Sequence, residues 1–371
     1  MQLALIGLPN SSKTTVFNAL TRGHAETAAY SSGTLDVQSA TVDVPDRRVD
    51  QLAALFKPRK TTRAQVTYSD IAGLGRGVNN GGLSGPLLNV LSQSDALLHV
   101  VRAFEDPEVP HSQGSLDPRR DLAIVDDELL LSDMLLVERR IERLEGQLKK
   151  GGAKPARATN EAELALFQRL RAQLEREAPL RDMELAPAEL KLLRPYGLLT
   201  LKPVLVVLNV GEVPHNGRDH SQPAGTDGNL LAGYRHQRTS LIELQGRLEM
   251  ELAHMAPDEA AEFLPEYGIQ EPGLQRAIRL SYALLGLHSF FTVGEDEVRA
   301  WTIPAGATAV EAAGVIHTDL ARGFIRAEVV RSADLMQSGS LAVARQRGQL
   351  RLEGKDYVVQ DGDILSIRFN L

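Results

Sequence analysis

The sequence predicts an α/β protein: a mostly parallel sheet flanked by helices, an antiparallel helical hairpin inserted into it, and a smaller α+β domain at the C-terminal end. Three observations carry this. Short apolar runs alternate with helical stretches through the first half, the apolar spacing changes to steps of three and four over residues 122–148, and short strands return after about residue 288.

The first apolar run, Leu3-Ala4-Leu5-Ile6, leads into Gly7-Leu8-Pro9-Asn10-Ser11-Ser12-Lys13-Thr14-Thr15 and on to Val16-Phe17-Asn18-Ala19-Leu20. A buried strand thus meets a polar loop that opens a helix. The spacing is G-x-x-x-x-G-K-[ST], with Ser12 where the second glycine is expected. Backbone N–H groups of such a loop and of the helix start converge on a polyphosphate, and the helix dipole favours the same anion. Asn10, Ser11, Ser12, Lys13, Thr14 and Thr15 are therefore the candidate phosphate-binding residues. Lys13 adds a full positive charge and is a candidate catalytic group, and Thr14 offers a hydroxyl to Mg²⁺.

The chain's 371 residues suffice for two or three domains. Hydrophobic residues at 43% and charged residues at 24% are ordinary globular usage, which excludes wholesale disorder. Met1 runs directly into the first strand, and no apolar window of about eighteen residues occurs. A cytoplasmic protein without a membrane partner is expected. The absence of cysteine removes disulfides, thiolate nucleophiles and Cys-based zinc sites. A net charge of −7 argues against a protein coated in basic residues, so no DNA partner is expected and any RNA contact is local.

Ala40-Thr41-Val42-Asp43-Val44 alternates as a strand, and Pro45-Asp46 opens a helix through Leu52 and Leu55. Before that strand, Tyr30-Ser31-Ser32-Gly33-Thr34 is a loop in which Thr34 is a candidate second Mg²⁺ hydroxyl, ordered when a γ-phosphate is present. Gln65-Val66-Thr67-Tyr68-Ser69-Asp70 is the next strand. An acid at its end, followed within a few residues by glycine, suits a carboxylate beside Mg²⁺ and a backbone N–H facing the γ-phosphate. Asp70 and Gly73 take those roles. Leu74 stands where Ras-like enzymes place a water-orienting glutamine. After the glycine-rich residues 75–85, Ala96-Leu97-Leu98-His99-Val100-Val101 is a buried strand, and His99 reads as a satisfied core residue. His111 follows in a Pro-rich loop past that strand's carboxyl end, where open α/β sheets bind ligands, and is the candidate catalytic histidine.

Leu130, Met134, Val137, Ile141, Leu144 and Leu148 form a helical seam, and Leu164, Phe167, Leu170 and Leu174 a second, so the two make a hairpin. Lys149, Lys150, Lys154 and Arg157 at its tip read as a solvated basic turn, with a contact to RNA phosphates as the alternative. The sheet resumes at Pro203-Val204-Leu205-Val206-Val207-Leu208 and ends in Asn209-Val210-Gly211-Glu212. Guanine is usually read there by N-K-x-D. With Val210 for the lysine and an acid one methylene longer at Glu212, guanine specificity is expected to be weakened. Residues 213–234 read as a surface loop, 240–244 as a short strand, and Gln245-Gly246-Arg247 as a second base-contacting loop. In the last segment, strands are expected over 298–303, 325–330, 356–359 and 364–369. A helix is expected over 309–320, and the last two strands flank a Gln360-Asp361-Gly362-Asp363 turn.

These residues resemble the Obg-like ATPases of the YchF type nearly from end to end. The phosphate loop carries the resemblance together with Asp70-Ile71-Ala72-Gly73-Leu74, His99-Val100-Val101-Arg102 and Asn209-Val210-Gly211-Glu212. Three C-terminal strings add to it: Glu297-Val298-Arg299-Ala300-Trp301-Thr302-Ile303, Gly323-Phe324-Ile325-Arg326-Ala327-Glu328-Val329-Val330, and Leu352-Glu353-Gly354-Lys355-Asp356-Tyr357-Val358-Val359-Gln360-Asp361-Gly362-Asp363. The resemblance implies a P-loop nucleotide-binding (Obg-type G) domain over residues 1–120 and 200–287, a helical hairpin over 121–199, and a C-terminal TGS domain of β-grasp type over 288–371. It further implies Mg²⁺-dependent ATP hydrolysis in preference to GTP, and association with the ribosome or its RNA. His111 matches the family's candidate catalytic histidine, and an apolar residue at Leu74 is a family trait.

The sequence departs from the family at Ser12-Lys13-Thr14, where the family has Gly-Lys-Ser, at the less charged Asn79-Asn80-Gly81-Gly82-Leu83-Ser84-Gly85, and at Gln245-Gly246, where Ser-Ala is usual. The pattern is that of a divergent paralogue. If position 12 is left-handed, a serine there costs about 1–2 kcal/mol. The expected protein is a slow, Mg²⁺-dependent ATPase switch. Lys13 and the loop hold phosphate, Thr14, Thr34 and Asp70 organise the metal, and Asn209, Val210, Glu212, Gln245 and Gly246 face the base. A GTP-preferring enzyme and a non-hydrolysing ribosome- or RNA-binding module stay open as alternatives.

Overall fold

A computed structural model of the chain describes residues 1–23, 37–71, 83, 85–150, 154–211, 233–266, 269 and 271–370, with the backbone alone for 154–156, 257, 258, 261 and 266. Thr34, Gly73, Leu74 and Glu212 lie outside the described residues. So do most of the glycine-rich segment 75–85, the Gly151-Gly152 turn and residues 213–232. The chain divides into two compact units, Met1–Ala40 with Thr67–Leu280, and Thr41–Val66 with Ser281–Leu371.

The first unit is built on a six-stranded sheet in the order β2-β4-β1-β5-β6-β7. The strands are β1 (Gln2–Ile6), β2 (Val37–Asp43), β4 (Gln65–Ile71), β5 (Ala96–Ala103), β6 (Val204–Val210) and β7 (Thr239–Leu244); β3 (Lys60–Thr62) lies elsewhere. β1 runs parallel to β4 and β5, β5 to β6, and β6 to β7. Central parallel strands are covered on both faces and need continuous apolar runs rather than alternation. β1 and β6 supply them, each buried at all but one terminal residue.

After β5 the helix Pro118–Lys149 begins with Asp117 as N-cap, its carboxylate accepting from Arg120 N at 3.1 Å, and Pro118 in the first turn. It returns as the helix Lys154–Leu174. Val137, Ile141, Leu144, Phe167, Leu170 and Leu174 share one core, as the seam predicts. Arg140 makes a two-pronged hydrogen bond to Glu163 at 2.8 Å on each arm, and Tyr196 donates to the same carboxylate at 2.6 Å. Further along, buried Asp133 accepts from Leu199 N, Thr200 N and Thr200 Oγ1 at 2.6–2.8 Å, fixing the chain where it enters β6. Burial outweighs those bonds and pushes the Asp133 carboxyl up to about 6.

The second unit carries a sheet in the order β11-β10-β12-β8-β9-β3, with β8 (Leu287–Thr292), β9 (Glu297–Pro304), β10 (Phe324–Arg331), β11 (Arg351–Glu353) and β12 (Asp363–Phe369). β12 and β8 run parallel at its centre while β8 and β9, and β10 with both β12 and β11, pair antiparallel. The helix Ala309–Ile316 contributes Ala309, Ala312 and Ala313 to a core with Phe290, Val329 and Leu365, giving a β-grasp arrangement. β3 pairs parallel to β9 at the edge. The helix Arg47–Phe56 belongs to the same unit, and Arg48 reaches Asp46 at 2.8 Å and Asp361 at 2.6 Å while lying 5.1 Å over the Phe291 ring.

Two expectations for this unit need correction. The helix expected over 309–320 is two helices, Ala309–Ile316 and Thr318–Arg322. His317 is extended between them (φ −163°), and its Nδ1 accepts from Asp319 N. Residues 356–359 form no hairpin with the last strand. They make only a single bridge, Val358 to Thr308, and β12 pairs with β10 and β8 instead. The Asp363 carboxylate explains the difference, because it accepts from Gln360 N at 2.9 Å and Tyr357 Oη at 2.7 Å and closes the segment into a corner. Among the described residues no helix is long and apolar enough to cross a membrane.

Candidate nucleotide-binding site

The loop after β1 has the backbone that a phosphate cradle requires. Gly7 has φ +148°, and a Cβ there would collide with the Val100 carbonyl oxygen of β5, so only glycine allows this close approach. Asn10 and Ser12 are left-handed, Ser12 at φ 65° and ψ 35°. The position that asks for glycine therefore keeps the glycine conformation while carrying a serine, at a cost of about 1–2 kcal/mol. Ser11 N closes the turn on Leu8 O at 3.3 Å, and the helix Lys13–Thr21 begins at once, with Thr14 and Thr15 in its first turn. Its first N–H groups have no side-chain cap from Ser12, which leaves the helix N-terminus suited to an anion.

Lys13 folds back over the loop, its Nζ donating to Gly7 O at 3.1 Å and Leu8 O at 2.9 Å. Burial lowers its pKa to about 8, against the opposing pull of the Asp70 charge. Beside it, Thr14 Oγ1 donates to Asp70 Oδ2 at 2.7 Å. Asp70 lies near the carboxyl end of β4 and is 7% exposed. A hydroxyl and a carboxylate held together are the hard oxygen donors that Mg²⁺ takes, so the residues present fit that ion. Among the described residues no three acidic or imidazole groups gather as a metal cluster.

At the far end of the sheet, the parallel neighbours β6 and β7 bring the two expected base-contacting stretches together. Asn209, 2% exposed, accepts from Gly246 N at 2.9 Å, and Gln245, 8% exposed, precedes the helix Gly246–His254. A Cβ on Gly246 would lie 2.7 Å from Asn209 Oδ1, so a side chain there requires the Asn209 amide to shift. Val210 is half-buried beside Asn209.

His111 lies beneath the phosphate loop rather than open to solvent. Its side chain is 7% exposed, its Nδ1 accepts from Gln113 N at 3.1 Å, and its Nε2 stands 2.8 Å from Asp121 Oδ2. Both ring nitrogens are engaged in this arrangement. The sequence reading missed Asp121, which orients the ring, and it missed the role of Arg102. Arg102 is buried, and its guanidinium donates to Phe104 O, Val109 O and Asn10 O at 3.0–3.3 Å. Asn10 adds a bond from Nδ2 to Pro110 O at 3.1 Å, so the phosphate loop and the His111 loop are sewn together. A charged residue closing the apolar run of β5 was the signal available. His99 is buried as expected, but it is not satisfied: Nδ1 has no hydrogen-bond partner. Burial, with the charges of Lys13 and Arg181, lowers its pKa to about 3 and keeps it neutral.

A left-handed phosphate loop that opens a helix after the first strand of a parallel sheet, with a hydroxyl–carboxylate pair beside it, defines a P-loop nucleotide-binding protein. Residues 2–137 match a family model described as a 50S ribosome-binding GTPase, and residues 287–370 match the C-terminal YchF-GTPase model, described as a protein of unknown function. The chain is 42% identical over 372 residues to the Ribosome-binding ATPase YchF of Bacillus subtilis, covering 99% of this chain and 98% of that one. It is 37% identical to Obg-like ATPase 1 of Oryza sativa, covering 100% and 92%. A solved YchF GTPase from Schizosaccharomyces pombe superposes with a TM-score of 0.83 at 32% identity over 99% of this chain and 97% of that chain. The chain belongs to the YchF family of Obg-like ATPases.

Proposed function

We propose that this chain is a cytoplasmic, ribosome-associated switch that binds ATP with Mg²⁺ and hydrolyses it slowly. The observation that carries the reading is the Thr14–Asp70 pair beside a phosphate loop whose left-handed Ser12 preserves the cradle. The loop amides and Lys13 hold the phosphates, with Lys13 leaving Gly7 O and Leu8 O to reach them. Thr14 and Asp70, with Thr34, would hold Mg²⁺, which would neutralise charge on the phosphates. Asn209, Val210, Glu212, Gln245 and Gly246 would contact the base, and the Gly73 N–H would serve the γ-phosphate. His111 positions water once its ring leaves Asp121. The names of the relatives support ATP as the nucleotide and the ribosome as partner.

Calorimetry of the full chain with ATP and with GTP, each with and without Mg²⁺, tests this reading. The expected result is Mg²⁺-strengthened binding with ATP ahead of GTP. Preference for GTP would reassign the nucleotide, and indifference to both would end the enzyme reading.

A further inference from the structure

The candidate catalytic histidine is held in a form that leaves it chemically silent. Gln113 N donates to His111 Nδ1 at 3.1 Å, so that nitrogen carries no proton. The ring's proton is then on Nε2, which donates to Asp121 Oδ2 at 2.8 Å. Neither nitrogen is left to orient a water or to take its proton. Asp121, 3% exposed, is itself braced: its Oδ1 accepts from Arg120 Nε at 3.0 Å, and the same guanidinium donates to Ser115 Oγ at 3.0 Å in the loop that carries His111.

A second, independent observation bears on how firmly the ring is held. His111 and Asp121, with Leu8, Ser11, His99 and Arg102, line a tight space under the phosphate loop that is too narrow to admit a water molecule. Two of these residues, Ser11 (4% exposed) and His99 (1%), each bury a polar atom, Oγ and Nδ1, that has no hydrogen-bond partner among the described residues. Buried polar atoms left unpaired are costly, so the His111–Asp121 bond is offset by a penalty in its own surroundings. Departure of the ring opens the space to water, and both atoms then gain a partner. The exchange narrows the gap between a stored and a released ring.

We propose that Asp121 is a positioning residue that stores His111 beneath the phosphate loop and thereby holds ATP turnover down. This rests on the reading of His111 as the group that positions water. Asp121 stands in the first turn of the helix Pro118–Lys149 and not in the loop of His111, so the start of the hairpin helix sets whether the ring is free. An acid in a first turn also suits the helix dipole, and a purely structural role of that kind would leave turnover unchanged or lower it. Storage predicts the opposite sign: removing the acid speeds the reaction.

The test compares steady-state ATP turnover of the full chain with that of Asp121→Ala, Asp121→Asn, His111→Ala and the double variant His111→Ala/Asp121→Ala. Asp121→Ala should raise kcat about tenfold and change KM by less than about twofold. Asp121→Asn, whose amide oxygen still accepts from Nε2 but without the charge, should fall between it and the wild type. The double variant should turn over no faster than His111→Ala, since it has no ring to release. Heteronuclear NMR of isotope-labelled histidines, with His111 assigned from the His111→Ala spectrum, should show a protected Nε2–H in the wild type and its loss in Asp121→Ala. Circular dichroism checks folding, and Asp121→Asn carries the test if the alanine variant does not fold. A kcat at or below the wild-type value in the folded Asp121 variants, while His111→Ala lowers turnover, overturns the proposal. If the wild type shows no turnover, or His111→Ala matches it, the assignment of His111 itself has failed, and the storage role falls with it.

Discussion

Thr14 Oγ1 rests 2.7 Å from Asp70 Oδ2, a hydrogen bond across 56 positions of sequence that joins the start of the first helix to the end of β4. It holds two hard oxygen donors at one point of the phosphate site. Replacing the acid with an amide keeps the size and removes the charge. In Asp70→Asn protein, Mg²⁺ should no longer strengthen ATP binding, and turnover should fall about 100-fold or more. Calorimetry with and without Mg²⁺, and a phosphate-release assay, measure the two effects; wild-type Mg²⁺ dependence would remove Asp70 from the metal site.

Ser12 sits in the left-handed region that penalises a side chain. Ser12→Gly should relieve that cost and give back part of it as unfolded-state entropy, for a net stabilisation of about 1 kcal/mol. Urea unfolding reads the change. The same variant should bind ATP more tightly, because the serine Cβ no longer crowds the phosphates.

Lys13 ties nucleotide binding to proton uptake. Its pKa in the folded chain is about 8, below the ordinary 10.5. Between those values the unfolded chain keeps a proton that the folded one has lost, so this group makes stability rise with pH across that window; below it the cost of burying the charge is constant. A bound triphosphate favours the charged form and reverses the shift. ATP binding near pH 9 should therefore take up about one proton. Titrations in buffers of different ionisation enthalpy count it, and Lys13→Met should abolish the uptake.

Gly246 packs closely on Asn209, whose Oδ1 accepts from Gly246 N at 2.9 Å. Asn209→Ala should weaken nucleotide binding by about 1–2 kcal/mol while leaving affinity for inorganic triphosphate unchanged. Competition between ATP and triphosphate separates the two. Equal loss for both would mean that Asn209 does not serve the base.

Arg102 joins two loops through the carbonyls of Asn10, Phe104 and Val109. Arg102→Ala should destabilise the protein by about 3 kcal/mol, since buried acceptors are left without donors. Arg102→Lys should recover part of that loss but not the fork geometry. Thermal unfolding of the three proteins should rank them wild type, lysine, alanine.

Local patterns announced themselves where one segment sufficed to make them. The apolar runs of β1, β5 and β6, the seam of the long hairpin and the loop from Gly7 to Thr15 are legible because each depends on neighbours in sequence. The left-handed backbone at Ser12 was readable only as a condition, and the structure supplies it. Asp121 and Arg102 were not legible as site residues, because their meaning lies in the partners they meet: His111 for one, three carbonyls for the other. The corner at Asp363 was misread as a hairpin for a related reason. Its carboxylate diverts residues 357–360, and the strand that follows finds its partners in β10 and β8, far away in the chain.

The second unit draws its edge strand β3, and the Arg48 that grips Asp361, from residues 41–66, although the rest of it begins at residue 281. No single cut frees it. A C-terminal fragment starting at 281 would lack a strand and leave Asp361 without its guanidinium, and an N-terminal fragment ending at 280 would carry a helix with nothing to cover it. During translation, residues 41–66 emerge well over two hundred residues before β9 and β12. The helix Arg47–Phe56 and β3 among them find their partners only when synthesis is nearly over. Completion of this unit is thereby tied to completion of the chain.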